Sequence, residues 1–127
     1  MNLTDVNSVG LSRSHILSSV DQSLKRLKTD YIDILSINGW DDATSIADCL
    51  RTLKTLINCG RVRHIGCVDL KAWQLQSTID LAKTMHMDQF ISCSTEYSLL
   101  NSSPEHELMD VCRTRHCSLL PYSPLKG

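Results

Sequence analysis

The chain has 127 residues, 42% hydrophobic and 21% charged, which is room for one domain with a real core and excludes a disordered tract. Thirteen basic side chains against 14 acidic ones leave a formal charge of -1, so the molecule as a whole attracts neither nucleic acid nor an anionic membrane. No apolar run approaches the roughly 20 residues that cross a bilayer. The opening Met1–Val9 is polar and carries Asp5, unlike a secretion signal, so a cytoplasmic location is expected.

In chain order the hydrophobic pattern alternates between a helical period and short apolar runs, four times over. Ser12 is placed to cap a helix over about residues 13–28, whose stripe is Ile16, Val20, Leu24 and Leu27. Tyr31–Ile37 reads as a strand. Ser45 can cap a second helix with Ile46, Cys49, Leu50, Leu53, Leu56 and Ile57 inward, closed by Gly60 where a left-handed residue is needed. Val62–Val68 is the second strand. A third helix over about residues 71–86 carries Ala72, Leu75, Ile79 and Ala82 on one stripe, and Phe90–Ser94 follows as a strand. The fourth helix has Ser103 as cap, Pro104 at its first position, Glu105 and Glu107 in its first turn, and Leu108, Val111 and Cys112 inward. Ser118–Tyr122 is the last strand.

The strands begin near residues 31, 62, 90 and 118, a repeat of about 28 to 31 residues that calls for a parallel sheet covered by helices. No GxGxxG or GxxxxGK[ST] loop follows any strand, which favours the eightfold barrel over the doubly wound nucleotide-binding sheets. A complete barrel takes about 250 residues. The expected fold is therefore a single partial (β/α)8 TIM barrel domain over residues 1–127, with about four helix-strand units. The six cysteines, Cys49, Cys59, Cys67, Cys93, Cys112 and Cys117, form no CxxC pair, so buried reduced thiols are expected and no metal site.

Barrel active sites lie where the strands end. The residues there are Asn38, Gly39, Trp40, Asp41 and Asp42 after the first strand, Asp69 after the second, Ser94 to Tyr97 at the third, and Tyr122 to Pro124 at the fourth. Each also has a structural reading: Asn38-Gly39 as a turn, Asp69 as a cap for the third helix, Trp40 as packing. The inner sheet face is expected to carry Ile32, Ile34, Ile65 and Cys93.

Six stretches, Gly10–Ile16, Ser23–Leu27, Thr29–Asp33, Gly60–Gly66, Glu96–Leu100 and Pro121–Leu125, occur in an order and spacing that resembles the aldo-keto reductase family from residue 10 to the end. The resemblance implies a TIM barrel and reversible hydride transfer between NADP(H) and a small carbonyl compound, with a tyrosine as general acid, a lysine and an aspartate tuning it, and a histidine orienting the substrate. The family's aspartate, tyrosine and lysine belong to elements that would precede Met1, and the histidine position is Asn38, which can donate a hydrogen bond but cannot exchange a proton near neutral pH.

For the cofactor, the Ser-Asn pair and the Gln that usually hold the nicotinamide amide correspond here to Val68-Asp69 and Ser94. By the same resemblance Tyr97 is the ring that stacks on the nicotinamide, Ser123 and Leu125 begin the pyrophosphate loop, and Trp40 walls the substrate pocket. The basic segment for the adenosine phosphate would lie past Gly127.

Three functions follow as expectations. One is an aldo-keto reductase-like protein without turnover as this truncated chain. A second is a fragment of an active NADPH-dependent aldehyde or ketone reductase completed by a longer product. The third, nucleic-acid binding through Lys25-Arg26-Lys28 and Arg61-Arg63-His64, is disfavoured by the balanced charge and sparse aromatics, so no nucleic-acid partner is expected. Unpaired strand edges of a half barrel predict a homodimer or aggregation.

Overall fold

The computed structural model describes residues 10–125. Its elements are α1 (Arg13–Leu27), β1 (Ile32–Asn38), α2 (Ile46–Asn58), β2 (Val62–Val68), α3 (Ala72–Thr84), β3 (Ser92–Glu96), a 3-10 turn (Ser103–Glu105), α4 (Leu108–Thr114) and β4 (Ser118–Tyr122). The strands are parallel and lie in the order β1-β2-β3-β4, the alternation and pairing of a partial TIM barrel. Cys67 stands opposite Cys93, Cys93 opposite Leu119, and Glu96 opposite Tyr122. Among the described residues no helix is long and apolar enough to cross a membrane.

The contacts divide the described chain into two compact units, residues 10–35 with 41–63, and residues 36–40 with 64–125. In the first, the Ser12 hydroxyl accepts from the His15 amide at 3.4 Å and starts α1 as expected. Ile16, Val20 and Leu24 are buried, but Leu27 is 63% exposed, because the helix ends there and the chain turns away through Lys28 at φ 53°. In α2, Cys49, Leu50, Leu53 and Leu56 are buried, while the Ser45 hydroxyl caps nothing. Arg61 is ion-paired with Asp21, and Arg63 pairs with Asp33 at 3.4 Å with its guanidinium 4.0 Å above the Tyr31 ring.

In the second unit, α3 buries Ala72, Leu75, Ile79 and Ala82, the stripe read from the sequence. The third strand starts two residues later than expected, at Ser92, with Phe90 fully buried ahead of it. Ser103 begins only a 3-10 turn, and α4 starts afresh at Leu108, with Glu107 at its N-cap in an extended-φ conformation of -139° that interrupts the helix. Two residues assigned to the open inner face are not there. Ile65 and Cys93 are wholly buried, whereas Ile34, in the first unit, is 46% exposed. The Cys93 thiol meets those of Cys67 and of Cys112 in α4, which puts it on the helix side of the sheet, and Ile65 shares the parity of Cys67 along β2.

All six cysteines are free thiols, and all but Cys59 are buried. Desolvation, aided by the negative charge of Asp41, pushes the Cys49 thiol up to about 11. Cys93, in thiol contact with Cys67 and Cys112, is also held above the ordinary range, by those hydrogen bonds first and by burial second.

Every α-helix ends alike. A residue in the left-handed region follows it (Lys28 φ 53°, Gly60 75°, His86 51°, His116 55°). The next amide then bonds back to the carbonyl five residues earlier: Thr29 to Leu24 at 3.3 Å, Arg61 to Leu56 at 3.1 Å, Met87 to Ala82 at 3.2 Å and Cys117 to Cys112 at 2.9 Å. This Schellman arrangement satisfies the last carbonyls and turns the chain into the following strand at a fixed angle.

Candidate active site

Parallel strands present their C-terminal ends together, and residues 36–40, 68–69, 94–97 and 122–125 all belong to the second unit. Asn38 is the exposed last residue of β1. Gly39 then turns at φ 73° and its amide donates to the Val68 carbonyl at 3.0 Å. The turn delivers the half-buried Trp40 against Trp73 of α3, with ring centroids 5.5 Å apart and planes tilted by 56°.

Asp69, just past β2, adopts φ 55°, a region that aspartate tolerates better than most residues. Its amide donates to the Ser94 carbonyl at 2.8 Å, pinning the β2 tip to β3. Its carboxylate accepts the Tyr122 hydroxyl, which lies 2.8 Å from both oxygens. Asp69 therefore does not cap α3, whose N-cap residue is Lys71. The carboxylate acceptor raises the Tyr122 phenol above its ordinary value, with smaller contributions from desolvation and from the charges of Asp69 and Glu96.

Tyr97, one residue past β3, is half-buried. Its hydroxyl donates to Glu105 at 2.6 Å, which raises that phenol too. Its amide donates to the Tyr122 carbonyl at 3.3 Å. Ser94 and Ser123 are half-buried, Ser123 at φ 52°, and Leu125 is 94% exposed.

Asp41, an acidic candidate in the sequence, belongs to the first unit and ties a loop. It accepts from the Leu11 amide at 2.9 Å, the Thr44 hydroxyl at 2.6 Å and the Ala43 amide at 2.9 Å. Those bonds, the Leu11 amide first, hold its carboxyl below the usual range. A Cβ on Gly10, at φ 80°, would stand 2.5 Å from the Asp41 Oδ2, so the loop also requires that glycine.

The structure thus joins Asp69 to Tyr122 and Trp40 to Trp73. Tyr122 stood among the strand-end residues in the sequence but with no partner or role attached, and Trp73 was not singled out at all. Period-two alternation back from Tyr122 through Leu120 would have placed Tyr122 on the open face, whereas nothing in the sequence marks Trp73 beyond its being the second tryptophan.

The Aldo/keto reductase family profile matches residues 1–127. The versiconal hemiacetal acetate reductase of Aspergillus parasiticus is 37% identical over 120 residues, covering 94% of this chain and 35% of that protein. Aldo-keto reductases of Fusarium vanettenii and Metarhizium robertsii are 34% and 35% identical over 120 residues, each covering 94% of this chain and 32% of the relative. The chain spans about a third of the length of these curated relatives. A family match over the whole sequence, borne on four parallel α/β units, means that this chain belongs to the aldo/keto reductase family.

Proposed function

We propose that this chain is an aldo-keto reductase-like protein whose strand tips receive a small carbonyl compound but do not carry out hydride transfer as these 127 residues. Asn38, Trp40, Asp69, Ser94, Tyr97, Ser123 and Leu125 are the residues assigned to that rim. The observation carrying the reading is the Asp69–Tyr122 contact: the carboxylate at the position that should hold the nicotinamide amide is already engaged, at 2.8 Å, by a phenol of the same chain.

The family generally uses NAD(P)H. The donor set here does not fit that group well. A carboxamide needs both a donor and an acceptor; Val68 has no polar side-chain atom and an ionised Asp69 has no proton to give. Tyr97, assigned to the nicotinamide stack, has its phenol bonded to Glu105, and Tyr122, 39% exposed, has its phenol bonded to Asp69, so each ring is anchored at its hydroxyl. Asn38 can donate a hydrogen bond to a carbonyl oxygen, but supplies no proton.

A second reading is favoured by the coverage of about a third of each relative: these residues form one part of an NADP(H)-dependent aldehyde or ketone reductase. The melting temperature of the purified chain with and without millimolar NADPH separates the two. No shift is expected from a rim that does not fit the cofactor, and a saturable rise would favour the second reading.

A further inference from the structure

We propose that Trp73 and the cavity beside it form a subsite for the flat aromatic part of a small ligand, continuous with the strand tips. Trp73 stands in the first turn of α3 and is 57% exposed, although its ring contacts Trp40 in a tilted pair. A half-exposed indole held in place by a second ring has an open face and a fixed orientation, the two requirements for stacking without losing side-chain freedom on binding.

Beside it lies a cavity of about 380 Å³, within the range that small-molecule sites occupy, with walls that include Leu70, Ala72, Trp73, Thr95, Pro104 and Leu108. Leu70, Pro104 and Leu108 are themselves buried, so those walls are backed by the core of the second unit. A proline and an indole on one cavity favour a flat ring over a branched aliphatic chain. Asp69 also lines the cavity, and it is the residue that accepts the Tyr122 hydroxyl. A ligand seated against Trp73 can therefore present a polar group to the Asp69–Tyr122 pair. Lys71 and His106 line the same space and give it a polar margin. The inference rests on the reading above only in taking the strand tips as the place where that polar group lies.

The test is calorimetric titration of the full chain with 2-naphthol, a flat aromatic alcohol that cannot be reduced, in the absence of NADPH. We expect saturable one-to-one binding, no binding of hexan-1-ol, and affinity weakened by about tenfold or more in Trp73→Ala, which removes the stacking face. Ser103→Phe, which fills the cavity from an exposed position and leaves Trp73 intact, should weaken it comparably; circular dichroism establishes that both variants are folded. Absence of saturable binding, equal binding of the aliphatic alcohol, or a wild-type constant in either folded variant overturns the subsite. Naphthol binding by a chain that reduces no aldehyde supports the subsite and bears on turnover separately. Reduction of an aldehyde by a chain that does not bind naphthol overturns the subsite alone.

Discussion

Tyr122 and Asp69 are 53 residues apart in the chain, yet their contact sets the chemistry of the strand tips. A phenol donating to a carboxylate keeps its proton longer, so Tyr122 titrates above its ordinary value of 10.0. Its folded value is raised, so the stabilisation from this contact is complete below that ordinary value and is lost as pH climbs through the higher folded one. In an ultraviolet phenolate titration, Asp69→Asn should bring the Tyr122 transition back down, and an unmoved transition would mean that the carboxylate is not the cause. Asp41 behaves oppositely. Its depressed carboxyl contributes above the ordinary value of 3.8, and that contribution disappears as pH falls through the folded one. Asp41→Ala should cost about 1 kcal/mol at neutral pH, a figure kept small because the group is exposed to solvent, and almost nothing in strong acid. Denaturant melts at two pH values measure both.

Among the elements, periodicity located the helices and strands because each has one buried stripe or face; β2 was read as Val62–Val68 and is found there. Boundaries set by hydrogen bonds to distant groups were less legible. β3 is displaced to Ser92–Glu96, and the Ile91 amide just ahead of it donates to Ile65 at 2.9 Å, a contact that no local pattern encodes. The helix ends were legible only at Gly60. Lys28, His86 and His116 occupy the same left-handed position without glycine's freedom, so the sequence gives no sign of their caps. Lys28→Gly and His116→Gly should each stabilise the chain by ~0.5–1 kcal/mol, and Gly60→Ala should destabilise it by about 1 kcal/mol, all read from chemical denaturation. A loss of stability on introducing glycine at Lys28 would mean that its side chain contributes more than its backbone strain costs. At the site, residue types were readable from their place after each strand, but the pairings Asp69–Tyr122 and Trp40–Trp73 join different loops and depend on the tertiary fold.

For the whole molecule, β1 and β4 end the strand order, and each carries an exposed aliphatic side chain, Ile34 at 46% and Leu120 at 47%. Strand edges and apolar faces of this kind recruit other chains. Size-exclusion chromatography with light scattering should show a homodimer or larger species, and a monomer across the accessible concentration range would count against it. The central claim, that this chain keeps the strand-tip rim of a carbonyl reductase without its proton and hydride chemistry, is tested most directly by following NADPH absorbance in the presence of the purified chain and an aromatic aldehyde. The expected trace is indistinguishable from the protein-free blank; consumption of NADPH in proportion to the amount of chain, with the alcohol recovered as product, would contradict it.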